Sequence, residues 1–149
     1  MIRVKRAYEP AARSDGRRML VERLWPRGMR KETLAAHAWL KEVAPSAALR
    51  VWFGHRPERW EEFRRRYERE LTANPSAWEP IVAAGRHGTV TLIYSARDTL
   101  HNAAVALREF LLRRPGRRRA TRARRAVTKG AARAGGSNNR GSTRGRIAE

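Results

Sequence analysis

The stretch VERLWPRG, residues 21–28, begins as an apolar run and ends in a proline-glycine turn that carries two arginines. Met19 and Leu20 extend the apolar run backwards, so the sequence predicts a strand from residue 19 to residue 25. Pro26 is expected to end this strand, because proline has no amide hydrogen to give to a sheet. A nearly continuous apolar strand is typical of a parallel sheet covered on both faces, and such folds build their sites at the carboxyl ends of their strands.

Two further strands are predicted around this stretch. Apolar and basic residues alternate over residues 2–8, which indicates a first strand. Residues 89–94, TVTLIY, are β-branched, apolar or aromatic and carry no charge, which makes this the strongest strand of the chain. Strands that are separated by helices along the chain predict an α/β fold with a mostly parallel sheet.

Helices are predicted from apolar spacing and from signals at their ends. Ser46 is a good N-cap and Gly54 a good C-terminal stop for a helix between them, although residues 49–53 would also fit a short strand. Pro57 suits the first turn of the clearest helix, whose buried stripe is Trp60, Phe63, Tyr67 and Leu71. The other predicted helices cover residues 31–43, a short segment around Trp78 that ends at Gly85, and a last helix with Asp98 as N-cap and Leu100, Ala103, Ala104, Leu107 and Leu111 as its buried stripe.

Charge is distributed unevenly along the 149 residues, which carry a formal net charge of +20. Residues 113–149 contain thirteen lysines and arginines, one acidic residue and no aromatic residue. Such a segment cannot offset the entropy of ordering by burying apolar surface. The sequence therefore predicts an α/β domain over residues 1–114 and a disordered Arg/Ala/Gly-rich tail over residues 115–149.

The sequence lacks the residues or motifs that several function classes need. It has no cysteine, so disulfides, thiolate catalysis and zinc–thiolate sites are excluded. It has neither a histidine motif for metal binding nor a glycine-rich phosphate loop, so we expect neither a metal nor a cofactor. It also has no secretory signal and no run of about 18 apolar residues, so we expect a cytoplasmic protein without a membrane partner.

Side chains suited to anion binding follow two of the predicted strands. Arg23 and Arg27 flank the Trp-Pro corner, and Ser95 and Arg97 follow the strongest strand. If the two strands are parallel neighbours, both loops open at one edge of the sheet. Guanidinium groups, a hydroxyl and helix amides at that edge would suit a phosphate or a carboxylate. The alternative is that Arg23 pairs with Glu22 or another acid, and that Arg97 is simply solvated.

His55 and His101 are the candidate catalytic residues, because histidine titrates near neutrality and can transfer protons. His55 lies in the turn before a helix, and His101 lies one turn into the last predicted helix. The alternative for His55 is an ordinary surface residue, and the alternative for His101 is a side chain that covers the edge of the core. The sequence leaves open whether the protein is an enzyme.

The basic tail indicates an alternative function. Its arginines would contact polyanions through counterion release, with an affinity that falls steeply as salt rises. The tail has no aromatic residue to stack on bases, so non-specific nucleic-acid binding is the expectation. A compositional bias that leaves a functionless basic extension would produce the same sequence.

Several motifs within residues 1–113 resemble the YeaO-like family, which is catalogued as domain of unknown function 488. They are VERLWPRG at 21–28, WLK at 39–41, APS at 44–46, WFGH at 52–55 and TLIYSARD at 91–98. The resemblance implies a small bacterial α/β protein with a Rossmann-like layered arrangement. It brings no established activity, substrate or cofactor.

The resemblance also adds to the set of candidate site residues. The family's recurring polar positions correspond here to Arg23, Arg27, Lys41, His55, Arg97, Asp98 and Asn102. The candidate ligand-binding residues are therefore Arg23, Arg27, Ser95, Arg97, Asp98 and Asn102. Glu22 departs from the family, which usually has an aspartate at that position.

Overall fold

A four-stranded, fully parallel sheet forms the centre of the computed structural model, which describes residues 1–114. The strands are β1 (Ile2–Arg6), β2 (Arg17–Leu20), β3 (Ala38–Trp39) and β4 (Val90–Tyr94), arranged in the order β1-β4-β2-β3. All five residues of β4 are buried, because β4 lies between β1 and β2 and both of its faces are covered. Val90, Leu92 and Tyr94 pack in the main core, and Ile93 packs in a second cluster on the other face. This confirms the predicted α/β fold class. The predictions for the tail concern residues 115–149, which lie outside the described residues.

Five helices surround the sheet within this part of the chain. They are α1 (Lys31–Leu34), α2 (Ala47–Phe53), α3 (Trp60–Ala73), α4 (Pro75–Gly85) and α5 (Ala103–Arg113). Short 3-10 turns lie at Arg13–Asp15, Lys41–Val43 and Pro57–Arg59. Within residues 1–114, none of these helices has the length and apolar character that crossing a bilayer requires.

The ends of α2 and the buried stripe of α3 confirm the sequence predictions for this region. The Ser46 side chain accepts a hydrogen bond from the Leu49 amide at 3.2 Å, and Gly54 ends α2 with a left-handed φ of 53°. The α3 residues Trp60, Phe63, Tyr67 and Leu71 are all buried in the main core. Burial also raises the pKa of the Tyr67 hydroxyl, which donates to the Val43 carbonyl at 2.6 Å.

The predicted helix over residues 31–43 is confirmed only for its first four residues. Only Lys31–Leu34 is α-helical, because Ala35 adopts a left-handed φ of 50° and turns the chain, and Lys41–Val43 forms only a 3-10 turn. The chain then pairs with β2: the Arg18 amide donates to His37 Nδ1, and the His37 amide donates to the Arg18 carbonyl. Ala38–Trp39 continue this pairing as β3. Sheet hydrogen bonds therefore override the helical spacing of the apolar residues.

The strand predicted over residues 19–25 is shorter than expected. It ends at Leu20, and the following residues form an irregular loop before Pro26 is reached. Trp25 packs in this loop against Trp39, with ring centroids 5.3 Å apart, and its indole nitrogen donates to the Met29 carbonyl. The loop thus has its own packing contacts.

The last helix begins later than predicted, at Ala103. Asn102 is its cap, because its side-chain oxygen accepts from the Val105 amide at 3.0 Å. Asp98 instead closes the preceding turn by accepting from the amides of Leu100 and His101, each at 2.9 Å. Leu100 therefore lies outside the helix and is 70% exposed, so its predicted place in the buried stripe is also wrong.

A buried ion cluster lies beside the start of β2 and includes one residue of β1. The Asp15 carboxylate accepts from Arg18 Nη1 at 2.6 Å and from Lys5 Nζ at 3.0 Å. Asp15 and Arg18 are each only 3% exposed. The next residue, Gly16, has a φ of 64° and packs directly against the backbone of Thr89. This cluster joins β1, β2 and the segment that leads into β4.

Candidate functional site

A cavity of about 550 Å³ opens at the carboxyl ends of β2 and β4. Because β2 and β4 are parallel neighbours, the loops that follow them lie at the same edge of the sheet, as expected from the sequence. The loop after β4, α2 with its flanking residues and one α3 side chain complete the walls. The lining residues are Val21, Glu22, Arg23, Leu24, Trp25, Arg27, Ala44, Pro45, Arg50, Val51, Phe53, His55, Phe63, Ser95, Ala96, Asn102 and Ala103.

Three arginines line this cavity. Arg23 and Arg27 come from the loop after β2, as predicted, and Arg50 comes from α2. Among residues 1–114, none of the three guanidinium groups forms an ion pair. Arg23 Nε is also buried without a hydrogen-bond partner in this part of the chain. The cavity therefore holds three positive charges that pair with no acid in this part of the chain.

Glu22 already accepts hydrogen bonds from Ser95, one of the residues that were expected to bind an anion at the end of β4. Its carboxylate accepts from the Ser95 amide at 2.8 Å and from the Ser95 hydroxyl at 2.7 Å. Its backbone carbonyl accepts from the indole nitrogen of Trp39 at 2.6 Å. Glu22 thus turns to Ser95 and does not pair with Arg23. The Glu22 carboxylate thus ties the loop after β2 to the loop after β4, and the Glu22 carbonyl ties the loop after β2 to β3.

The remaining ligand-binding candidates are divided between the cavity and its surroundings. Asn102 lines the cavity and is only 4% exposed, but its amide nitrogen donates to the Asp98 carbonyl and its oxygen caps α5. Arg97 and Asp98 do not line the cavity, and Arg97 is exposed. Hydrogen bonds from the backbone amides of Leu100 and His101 lower the pKa of Asp98. Asp98 therefore holds a turn in place.

The two histidine candidates lie in different surroundings. His55 lines the cavity from an exposed turn, where it adopts a left-handed φ of 56° and its ring centroid lies 6.1 Å from that of Phe53. His101 does not line the cavity. Its Nδ1 lies 3.0 Å from the Asp98 carboxylate, and its ring meets the edge of Trp60. Of the two candidates, only His55 could exchange a proton with a molecule in the cavity.

The sequence analysis predicted several of the residues that line the cavity and missed one of its arginines. It predicted that Arg23, Arg27, His55 and Ser95 lie together, and all four line the cavity. It missed Arg50, because one charged residue on a short helix looks like any solvated side chain. No group of three or more potential metal ligands occurs within residues 1–114.

Comparison with known proteins identifies relatives of this chain. Residues 1–128 match the model of a family described as an inactive DUF488-N3 subclade. Uncharacterized protein YeaO of Escherichia coli (strain K12) is 40% identical over 110 residues, which are 74% of this chain and 96% of YeaO. Uncharacterized protein Rv3073c of Mycobacterium tuberculosis is 40% identical over 110 residues, which are 74% of this chain and 92% of that protein. No solved structure matches the chain. The matches confirm the resemblance to YeaO-like proteins.

Proposed function

This chain belongs to the DUF488-N3i family, the subclade described as inactive, and we propose that it binds a small anionic ligand without transforming it. The observation that carries the proposal is the set of three arginines, free of ion pairs within residues 1–114, on one cavity of about 550 Å³. Among the residues that line this cavity, Arg23, Arg27 and Arg50 oppose a single carboxylate, that of Glu22. Guanidinium groups bind carboxylates and phosphates through paired, charge-assisted hydrogen bonds.

The chemistry of the cavity supports binding over catalysis. A serine nucleophile is commonly activated by a histidine. The Ser95 hydroxyl instead donates to the carboxylate of Glu22, which is a weaker base than an imidazole and whose second oxygen accepts from the Ser95 amide. His55 lies in an exposed turn, and no hydrogen bond within residues 1–114 fixes the orientation of its ring. The description of the family as inactive also favours binding over catalysis.

Loss of one cavity arginine is expected to weaken anion binding by about tenfold or more, since a charged hydrogen bond contributes roughly 1.5–3 kcal/mol. The test is calorimetric titration of the full chain and its Arg23→Ala variant with a panel of phosphates and carboxylates. Arg97→Ala is the matched control, because it removes the same charge from an exposed position outside the cavity. We expect less than a twofold change for this control.

Two results would contradict the proposal. One is that no anion in the panel binds. The other is that Arg23→Ala and Arg97→Ala lose the same affinity, which would place binding on the overall positive charge of the protein. The basic tail is kept in every variant, because non-specific polyanion binding through residues 115–149 is the alternative function and contributes equally to both.

Glu22→Gln is expected to strengthen anion binding by about three- to tenfold while it destabilises the fold by about 1–2 kcal/mol. The gain in affinity follows from removal of the one negative charge among the residues that line the cavity. The loss of stability follows from weaker hydrogen bonds to Ser95. The measurements are calorimetric titration with phosphate and urea denaturation.

Glu70→Gln is the matched control for this change. The Glu70 carboxylate accepts from the Ser46 amide at 2.9 Å and from the Ser46 hydroxyl at 2.7 Å, which repeats the contacts of Glu22 in a smaller pocket that Arg23 also lines. We expect a similar loss of stability and a smaller gain in affinity, because only Arg23 of the three arginines lines the pocket of Glu70. Equal or weaker phosphate binding by Glu22→Gln would show that Glu22 does not compete with an anion.

A further inference from the structure

We infer that the ligand is an organic anion whose charged group is joined to an apolar body at least as large as an aromatic ring. This inference rests on the proposed function and narrows the class of ligand. Both aryl carboxylates and aryl phosphates fit this description, and the experiment tests both classes. Three features of the cavity support it: its size, its apolar wall and its exposed apolar rim.

The cavity is much larger than an inorganic anion needs. Its volume of about 550 Å³ falls in the range of roughly 300–1,000 Å³ that is typical of sites for small organic molecules. At about 30 Å³ per water molecule in the liquid, an inorganic phosphate would fill only a small part of it. The remaining space would hold water against an apolar wall, which is an unfavourable arrangement.

Aromatic side chains form one wall of the cavity. Phe53 and Phe63 are stacked with ring centroids 4.3 Å apart, and both line the cavity although they are only 5% and 1% exposed. Val21, which is 1% exposed, adds a third apolar surface. Arg27 and Arg50, in contrast, are exposed. A ligand that contacts both the charged and the apolar side chains of the cavity has its charge at the arginines and its apolar body against the phenylalanines.

Two exposed apolar side chains lie at the rim of the cavity. Leu24 is 69% exposed and Val51 is 81% exposed, yet both line the cavity. A ligand with an apolar body would cover these side chains, and burial of that surface would add to its affinity. An inorganic anion held by the guanidinium groups would leave them in water.

The experiment compares anions that share a charged group and differ in their apolar body. The full chain is titrated by calorimetry with inorganic phosphate and phenyl phosphate at about pH 8, where both are mainly dianions, and with acetate and benzoate. We expect each aryl anion to bind about tenfold or more tightly than its small counterpart, since a ring becomes largely buried. Equal affinities within both pairs would overturn the inference and leave the proposed function standing. If none of the four anions binds, both fail.

A matched pair of leucines tests the rim. Leu24 and Leu100 are 69% and 70% exposed, but only Leu24 lines the cavity. Leu24→Ser is expected to weaken phenyl phosphate binding about three- to tenfold and to leave inorganic phosphate binding unchanged. Leu100→Ser is expected to change neither. The same effect from both substitutions, or no effect from Leu24→Ser, would overturn the inference.

Discussion

Replacement of Asp15 by asparagine is expected to lower the free energy of unfolding by about 3–5 kcal/mol, because it removes one partner from a buried ion cluster. The Asp15 carboxylate accepts from Arg18 Nη1 at 2.6 Å, from Lys5 Nζ at 3.0 Å and from the Ala12 amide at 2.9 Å. Arg18 is 3% exposed, and its Nη2 already lacks a hydrogen-bond partner within residues 1–114. The asparagine variant would leave this guanidinium without a counter-charge.

Urea denaturation at neutral pH measures the effect of this substitution. Glu61→Gln is the matched control, because it neutralises an acid whose side chain is 71% exposed and whose ion pair with Arg64 is solvated. We expect a loss of less than about 1 kcal/mol for this control. A loss of that small size for Asp15→Asn would mean that the cluster contributes little to stability.

The pH dependence of stability gives a second measurement of the same cluster. Burial alone would raise the pKa of Asp15, but hydrogen bonds from Ala12, Lys5 and Arg18 outweigh burial and hold this pKa below its ordinary value of 3.8. The carboxylate therefore stabilises the folded state above pH 3.8, and this contribution is lost as the pH falls toward the lower folded pKa. The stability difference between the wild type and Asp15→Asn should shrink over that range.

Gly16→Ala is expected to cost about 3 kcal/mol or more of the free energy of unfolding. The φ of Gly16 is 64°, and an added Cβ would lie 2.2 Å from the carbonyl oxygen of Thr89. Thr89 cannot move aside easily, because the same oxygen accepts from the Arg17 amide at 2.9 Å. Backbone strain and steric overlap therefore act together.

Substitutions of two other glycines separate the cost of backbone strain from the cost of steric overlap. Gly28 has a φ of 76° with open space around its Cβ position, so Gly28→Ala measures the backbone strain alone, about 1–2 kcal/mol. Gly85 is helical and also has open space, so Gly85→Ala should stabilise the protein by about 0.5–1 kcal/mol. Urea denaturation of the three variants gives the comparison. If Gly16→Ala costs no more than Gly28→Ala, the close approach to Thr89 has no energetic importance.

Local sequence patterns predicted the elements whose formation depends on nearby residues. The uncharged run of β4, the aromatic stripe of α3, and the caps Ser46 and Gly54 all carry their signal within a few residues. The pairing of Ala38–Trp39 with β2 does not, since it depends on hydrogen bonds to residues about twenty positions earlier. A two-residue strand has too few side chains to show a period of its own.

The site was predictable to the extent that the sheet topology positions it. Arg23, Arg27 and Ser95 follow strands, so the assumption that β2 and β4 are parallel neighbours was enough to bring them together. The Glu22–Ser95 contact joins positions 73 residues apart, and Arg50 reaches the cavity only through the packing of α2 on α3. Neither relation leaves a local pattern in the sequence.

The position of β4 between β1 and β2 determines how early the sheet can form while the ribosome synthesises the protein. Within the sheet, β1 pairs only with β4, and its first pair joins Ile2 to Val90. At about 5–20 residues per second, the intervening segment takes roughly 4–18 s to synthesise. During that time β1 has no strand beside it, and its alternating basic residues would discourage pairing with other nascent chains. The domain can close only when nearly all of it has left the ribosome.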